Sequence, residues 1–96
     1  MIYEWDPKKA RTNLREHRVA FEEAATVFLD PLAVTYPDPD HSEQEDREIT
    51  IGYSAEQRLL FVSHCPRGDR HRIISARRAT GRERKQHEKG IREEKA

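Results

Sequence analysis

The feature that most constrains this chain is a series of three strand-like segments in its second half. Residues 47–53 alternate between apolar and polar side chains, which is typical of a half-buried strand. Residues 59–62 form a near-continuous apolar run, which favours a central strand covered on both faces. Residues 70–77 carry two adjacent isoleucines in their middle and complete the series. Because only short turns, at 54–57 and 66–69, separate the three segments, the sequence predicts an antiparallel meander.

Two helices are predicted before the meander. Asp6 can accept hydrogen bonds from free backbone N–H groups and Pro7 suits the first helical position, so a helix begins here. Helical spacing continues to near His17. Residues 21–28 show a second amphipathic pattern, and the following Asp-Pro ends it. Residues 32–36 then predict a further strand.

The two ends of the chain complete an α+β prediction. Residues 2–5 suit a short strand. Thr80 and Glu83 have the spacing of a capping box, which predicts a charged helix over about 80–96. Beyond its start this helix offers little more than Ile91 to a core, so we expect its distal half to be mobile or held by a partner. The whole of residues 1–96 is interpreted as one domain.

Charge is distributed unevenly along the chain. Residues 1–66 contain 7 Lys+Arg against 13 Asp+Glu, whereas residues 67–96 contain 11 against 5. A basic last third on an acidic body indicates a nucleic-acid surface, although neutralisation between the two parts would explain it equally well. The single cysteine, Cys65, allows no internal disulfide, and no signal peptide or membrane-spanning run is present, so we expect a cytoplasmic protein.

Arginines beside predicted strands are the main candidates for chemistry. A buried guanidinium is costly unless it is paired, so Arg47, Arg72 and Arg77 either form internal salt bridges or face an anionic ligand. A metal-free arginine site can stabilise the phosphorane formed when a 2′-hydroxyl attacks an RNA phosphate. Strict alternation, however, places Arg72 and Arg77 on opposite faces unless the strand ends or bulges between them.

Other catalytic arrangements are not favoured by the sequence. His64, Cys65 and His71 lie near one another, but their spacing matches no zinc signature, and we expect no metal or cofactor. Adjacent strand residues point to opposite faces, which argues against a nucleophilic pair of Cys65 and His64.

Six segments together resemble the BrnT toxins of bacterial type II toxin–antitoxin systems. The resemblance extends in order over roughly residues 2–88 and is most specific in the Arg-Ile-Ile-Ser-Ala-Arg block. Arg18 stands where the family usually has Gly, and His87 stands where it usually has Tyr. The segments are Glu4-Trp5-Asp6-Pro7-x-Lys9-x-x-x-Asn13, His17-x-Val19-x-Phe21-Glu22-Glu23-Ala24, Val27-Phe28-x-Asp30-Pro31, Asp40-His41-Ser42-x-x-Glu45-x-Arg47, Ile51-Gly52-x-Ser54 and Arg72-Ile73-Ile74-Ser75-Ala76-Arg77-x-Ala79-x-x-Glu83-Arg84.

The resemblance implies a small α+β fold similar to RelE ribonucleases and RNA cleavage that inhibits translation. Together with the metal-free arginine site considered above, it leads us to expect a metal-independent ribonuclease. It also implies a BrnA-like ribbon-helix-helix antitoxin, which neutralises the toxin in a hetero-oligomer and represses their operon together with it. Operator DNA would then be contacted only through the antitoxin.

The site residues are hypotheses that combine this resemblance with the chemistry of the side chains. We expect two arginines to stabilise the scissile phosphate, three groups to serve in proton transfer and three further cations to bind substrate. In that order they are Arg47 and Arg72; His17, His41 and Glu45; and Lys9, Arg77 and Arg78.

Two alternatives stay open. The chain could be a catalytically inactive module that keeps the fold and binds the antitoxin. A direct DNA-binding regulator is less favoured, because no helix-turn-helix is evident.

Overall fold

The computed structural model describes residues 2–40 and 46–95 as a mixed α+β fold. In chain order its elements are β1 (Ile2–Glu4), α1 (Pro7–His17), α2 (Phe21–Thr26) with a 3-10 turn at Val27–Leu29, β2 (Val34–Pro37), β3 (Glu48–Tyr53), β4 (Leu59–Arg67), β5 (Arg70–Arg78) and α3 (Gly81–Lys95). Among the described residues, no helix has the length and apolar content needed to cross a membrane.

The five strands form one sheet in the order β1-β5-β4-β3-β2. The predicted meander is confirmed, since β3, β4 and β5 pair antiparallel in sequence order. β1 adds to the outer edge of β5 in parallel, over residues 70–72. The turn predicted at 66–69 is wrong in extent, because residues 66 and 67 still belong to β4.

The segment after the second helix also differs from its prediction. A strand was expected over residues 32–36, but β2 begins at Val34. Asp30 explains the delay: its side chain accepts a hydrogen bond from the backbone N–H of Leu32 at 2.9 Å, and its carbonyl accepts one from that of Ala33 at 3.1 Å. These bonds hold a turn in place of the expected start of the strand.

The first helix begins and ends where the sequence predicts. The Asp6 carboxylate accepts the Lys8 backbone N–H at 2.8 Å, and Pro7 is the first helical residue. Arg18 closes the helix in the left-handed conformation, with φ at 58°. That backbone favours glycine, which is the residue that the resemblance leads one to expect at this position.

One face of the sheet, which we call the helix face, packs against α1, α2 and the 3-10 turn. Its core joins four residues of the helical segment to four residues of β4 and β5. These are Val19, Phe21, Ala24 and Val27 on one side and Leu60, Val62, Ile73 and Ala76 on the other.

Buried polar groups tie the helices to this face. Asn13 donates to the carbonyls of Val19 and Ala76 at 2.9 and 2.8 Å and accepts the Ala76 N–H at 3.0 Å. Glu23 is held in an ion pair by Arg58 and accepts the Ser54 hydroxyl at 2.7 Å. Several residues that carry the family resemblance therefore have a structural role in this chain.

A bulge in β5 decides where the arginines lie. Ser63 pairs with Ser75 but His64 pairs with Ile73, so Ile74 is an extra residue in β5. Because of this insertion, Arg72 and Arg77 lie on the same face of the sheet, opposite the helix face. Register places Arg67 and Arg70 there as well. We call this surface, with Arg67, Arg70, Arg72 and Arg77, the arginine face.

Candidate active site on the arginine face

Arg72 is an arginine of this face whose hydrogen-bonding capacity is only partly used within the part of the chain that the structure describes. In the sheet Arg72 pairs with Cys65 of β4 on one side and with Glu4 of β1 on the other. The closest nitrogen of Arg72 is 3.9 Å from the Glu4 carboxylate, a long ion pair that is worth little. Its Nε is buried and has no hydrogen-bond partner among the described residues. The Arg72 side chain is about one-third exposed, so its guanidinium has room to bind a further anion.

Arg77 is engaged by contrast in a bidentate ion pair. Its two terminal nitrogens lie 2.8 and 2.9 Å from the carboxylate oxygens of Glu83, at the start of α3. The guanidinium also stacks 4.1 Å from the centre of the Phe61 ring. The hydrogen bonds from Arg77 lower the pKa of Glu83 to about 2, so both groups stay charged at neutral pH. An incoming phosphate would have to compete with Glu83 for Arg77.

A cavity of about 370 Å³ lies where α3 crosses β2 and β3 beside this ion pair, and its lining includes Tyr36, Glu83 and His87. His87 is only 7% exposed, and its Nε2 has no hydrogen-bond partner among the described residues. Burial raises the pKa of the Tyr36 hydroxyl, and the nearby Glu83 charge raises it further. An uncharged phenol and a largely buried imidazole thus lie at the border of the arginine face.

In the sequence, His87 is evident only as a departure from the family pattern. Its spacing of four residues after Glu83 places both side chains on one side of α3, and this spacing was the available signal. What could not be read from the sequence was the burial of the ring against β2 and β3.

The predicted site residues are only partly brought together. Arg72 and Arg77 share the arginine face. Arg47 precedes β3, and alternation continued from Glu48, which pairs with His64 on the helix face, would direct it to the arginine face as well. Arg78 pairs with Leu60 and so belongs to the helix face, where it is exposed.

Two of the other predicted residues lie on α1, and two cannot be placed. Lys9 and His17 line a surface pocket of about 290 Å³ with Ile74 and Ser75 of β5. His41 and Glu45 lie outside the described residues.

The helix face holds a second cluster of ionisable groups. Glu48, His64 and His71 each direct one potential metal-ligating atom towards the others, and these three atoms lie within 4.8 Å of one another. His64 Nδ1 contacts His71 Nε2, while His64 Nε2 lies 2.7 Å from the Thr50 hydroxyl. Burial lowers the pKa of His64 to about 4, with a further contribution from His71. Burial also lowers the pKa of His71, partly offset by the charge of Glu48.

These two faces offer different chemistry. The arginine face presents fixed positive charge with a phenol and an imidazole at its border, which suits binding and charge stabilisation of a phosphate. The cluster on the helix face is largely buried and uncharged apart from Glu48, which suits ligation of a cation.

Comparison with known proteins assigns the chain to a class and then to a family. A family described as "Ribonuclease toxin, BrnT, of type II toxin-antitoxin system" matches residues 5–83, which defines the class as a toxin of such a system. The chain belongs to the BrnT family. A type II system pairs its toxin with a protein antitoxin, so members of this family have a protein partner. Curated protein sequences give no match to this chain.

A solved structure supports the fold. The crystal structure of the Brucella abortus ribonuclease toxin BrnT, at 1.1 Å resolution, is similar with a TM-score of 0.66. The match covers 83% of this chain and 99% of that chain at 24% identity. The mixed α+β class predicted from the sequence is thereby confirmed.

Proposed function

We propose that this chain is a metal-independent endoribonuclease that cleaves RNA on its arginine face and so inhibits translation. The family supports the ribonuclease class. Arg72 supports placing the scissile phosphate on this face. Its Nε is buried and has no partner among the described residues, and its ion pair with Glu4 is long. Such an arginine gains hydrogen bonds when an anion arrives, and gains most when the anion's charge increases in the transition state.

Cleavage by 2′-hydroxyl attack assigns three tasks to the protein. A base removes the 2′ proton, cations stabilise the phosphorane and an acid protonates the leaving 5′ oxygen. Arg72 and Arg47 supply the cations in this proposal, and Arg77 adds charge from the same face.

For proton transfer, His17, His41 and Glu45 stay candidates from the sequence. His87 joins them, because its side chain lines the cavity beside Glu83 and its Nε2 has no hydrogen-bond partner among the described residues. Lys9 and Arg78 would contact more distant parts of the RNA backbone.

We further propose that a BrnA-like ribbon-helix-helix antitoxin neutralises the toxin in a hetero-oligomer and represses their operon with it, in the bacterial cytoplasm. Operator DNA is then contacted through the antitoxin alone. Growth arrest on expression of this chain, relieved by co-expression of the antitoxin, is the expected behaviour in cells.

Cleavage of purified cellular RNA in excess EDTA tests the activity. The wild type should cleave and Arg72→Ala should lose at least about 100-fold in rate, since one charge-stabilising donor contributes about 10²–10³. Arg15→Ala removes an exposed arginine from α1 and should cleave like the wild type. Circular dichroism in the same buffer confirms that each variant is folded.

A repeat of the assay in a translating extract distinguishes a nuclease that needs the ribosome from an inactive chain. Cleavage in neither setting, by a folded protein that still binds its antitoxin, would favour the inactive binding module. Equal cleavage by Arg72→Ala would instead remove Arg72 from the site while leaving the ribonuclease assignment intact.

A further inference from the structure

We propose that Glu48, His64 and His71 form a zinc-binding site on the helix face. The three side chains come from three neighbouring strands and direct their ligating atoms to one place, with all pairs of atoms within 4.8 Å. Two imidazole nitrogens and one carboxylate oxygen are a ligand set that Zn²⁺ accepts, with one of its four positions left for water.

Strand register creates this convergence. Glu48 on β3 lies directly opposite His64 on β4, so the two side chains share a face. His64 lies opposite Ile73 on β5, and His71, two residues along, points to the same face. Because the ligands come from separate strands, their spacing in sequence resembles no zinc motif, and the sequence alone therefore predicts no metal site.

A second layer of hydrogen bonds orients His64. Its Nε2 lies 2.7 Å from the Thr50 hydroxyl, which lies 2.6 Å from the Thr35 hydroxyl. If Thr50 donates to Thr35, it accepts the Nε2–H of His64 and leaves a lone pair on Nδ1, the atom that faces the cluster. Metal-ligating histidines are commonly fixed by such a bond from their other ring nitrogen.

Aromatic rings close the cluster on its inner side. The Phe28 ring meets His64 edge-on at 4.8 Å between centroids and lies 5.5 Å from His71, and Tyr3 lies 6.4 Å from His71. His64 is only 2% exposed, whereas Glu48 and His71 are half-buried. An ion would enter from the side of Glu48 and His71, and the apolar wall would limit the water around it.

A hydrogen-bonded chain from Thr35 through Thr50 and His64 to His71 is the alternative without an ion. It accounts for the contact between the two histidines, but it assigns no role to the Glu48 carboxylate beside them. An ion uses all three groups at once: it replaces the direct contact between the two ring nitrogens and pairs with the carboxylate charge.

The site is separate from the proposed RNA cleavage, since it lies on the opposite face of the sheet from Arg72. The ion would join β3, β4 and β5 beside the 3-10 turn, and would act on the stability of the sheet. Its presence does not depend on whether the chain is a ribonuclease.

Calorimetric titration of the full, tag-free chain with Zn²⁺ after chelator treatment tests the site. We expect one Zn²⁺ per chain and a melting temperature that rises with zinc concentration. Co²⁺ should give the visible absorption of a four-coordinate ion. Glu48→Gln and His71→Gln should each raise the dissociation constant by more than about 100-fold, and Thr50→Val by about 10–100-fold. Glu48 and His71 are half-buried, so these substitutions are compatible with folding.

Two control variants separate this site from other ligands. His17→Gln removes an exposed histidine, and Cys65→Ser removes the single thiol, which lies on the opposite face. Both should bind Zn²⁺ like the wild type. Absence of stoichiometric binding, unchanged binding by folded His71→Gln, or loss of binding in Cys65→Ser would each overturn the proposal.

Discussion

The two faces of the sheet treat their polar groups in opposite ways. On the helix face, buried polar side chains such as Asn13 and Thr50 have partners at normal hydrogen-bond distances. On the arginine face, Arg72 keeps a buried Nε without a partner among the described residues. An unsatisfied buried donor costs free energy of folding. The difference between the faces therefore indicates that the helix face stabilises the fold and that the arginine face is kept for binding.

This division predicts different responses to substitution. Substitutions on the helix face should lower the stability of the fold, because the polar groups there are buried and become unsatisfied when their hydrogen-bond partner is removed. Changes to Arg72 should leave stability within about 0.5 kcal/mol, since its ion pair with Glu4 is long and partly exposed to solvent.

Asn13→Ala should destabilise the fold by about 3 kcal/mol, because it leaves the N–H and carbonyl of Ala76 and the carbonyl of Val19 without their partner. Urea unfolding measures the loss. Thr12→Ala, at the neighbouring half-buried position, is the control and should cost far less. If Asn13→Ala destabilised no more than Arg72→Ala, the contrast between the faces would be wrong.

Gly52→Ala should cost about 2 kcal/mol through close contact. A Cβ at Gly52 would lie 2.8 Å from the Cβ of Ala33 and 3.0 Å from a methyl of Val27, where β3 passes beneath the helical segment. A Cβ added at Gly90 in α3 would have no atom within 4 Å, so Gly90→Ala should stabilise the helix slightly. Thermal unfolding of the pair measures both effects, and equal melting temperatures would contradict the tight packing inferred at Gly52.

Most of the fold could be predicted from the sequence because its signals are local. Alternation defined β3, and the cap at Asp6 and the capping box at Thr80 fixed the starts of two helices. In the structure Glu83 accepts the Thr80 N–H at 2.8 Å and the Thr80 hydroxyl accepts the Glu83 N–H at 3.1 Å, as that pattern predicts. Each of these features depends on residues within a few positions of one another.

The site was less predictable because it depends on register. The insertion of Ile74 brings Arg72 and Arg77 to one face, and alternation alone gave the opposite result. The partners of these arginines, Glu4 and Glu83, come from β1 and α3, and no sequence pattern linked them to the arginines in advance. Convergence of Glu48 with two histidines arises from register in the same way.

The arginine face should show its own pH dependence through Glu83. Its pKa is lowered from 4.5 to about 2, so the ion pair with Arg77 contributes stability that is fully present above pH 4.5 and lost as the pH falls towards 2. Because Arg77 is partly exposed, we expect a loss of only about 1 kcal/mol. Glu83→Gln should remove this part of the pH dependence in urea titrations at several pH values. An unchanged profile would show that the ion pair adds no stability.

Arg18→Gly should have the smallest effect and the opposite sign. At φ 58° the Cβ of a non-glycine residue crowds the backbone, which destabilises the folded state. Glycine avoids this crowding but loses more conformational entropy on folding. The balance favours glycine by roughly 0.5 kcal/mol. The backbone carbonyl of Arg18 accepts a hydrogen bond from the Arg58 guanidinium at 3.0 Å. This bond is retained in the variant because it does not involve the Arg18 side chain. A small rise in melting temperature is therefore expected, whereas a fall would show that the Arg18 side chain contributes contacts that outweigh its backbone strain.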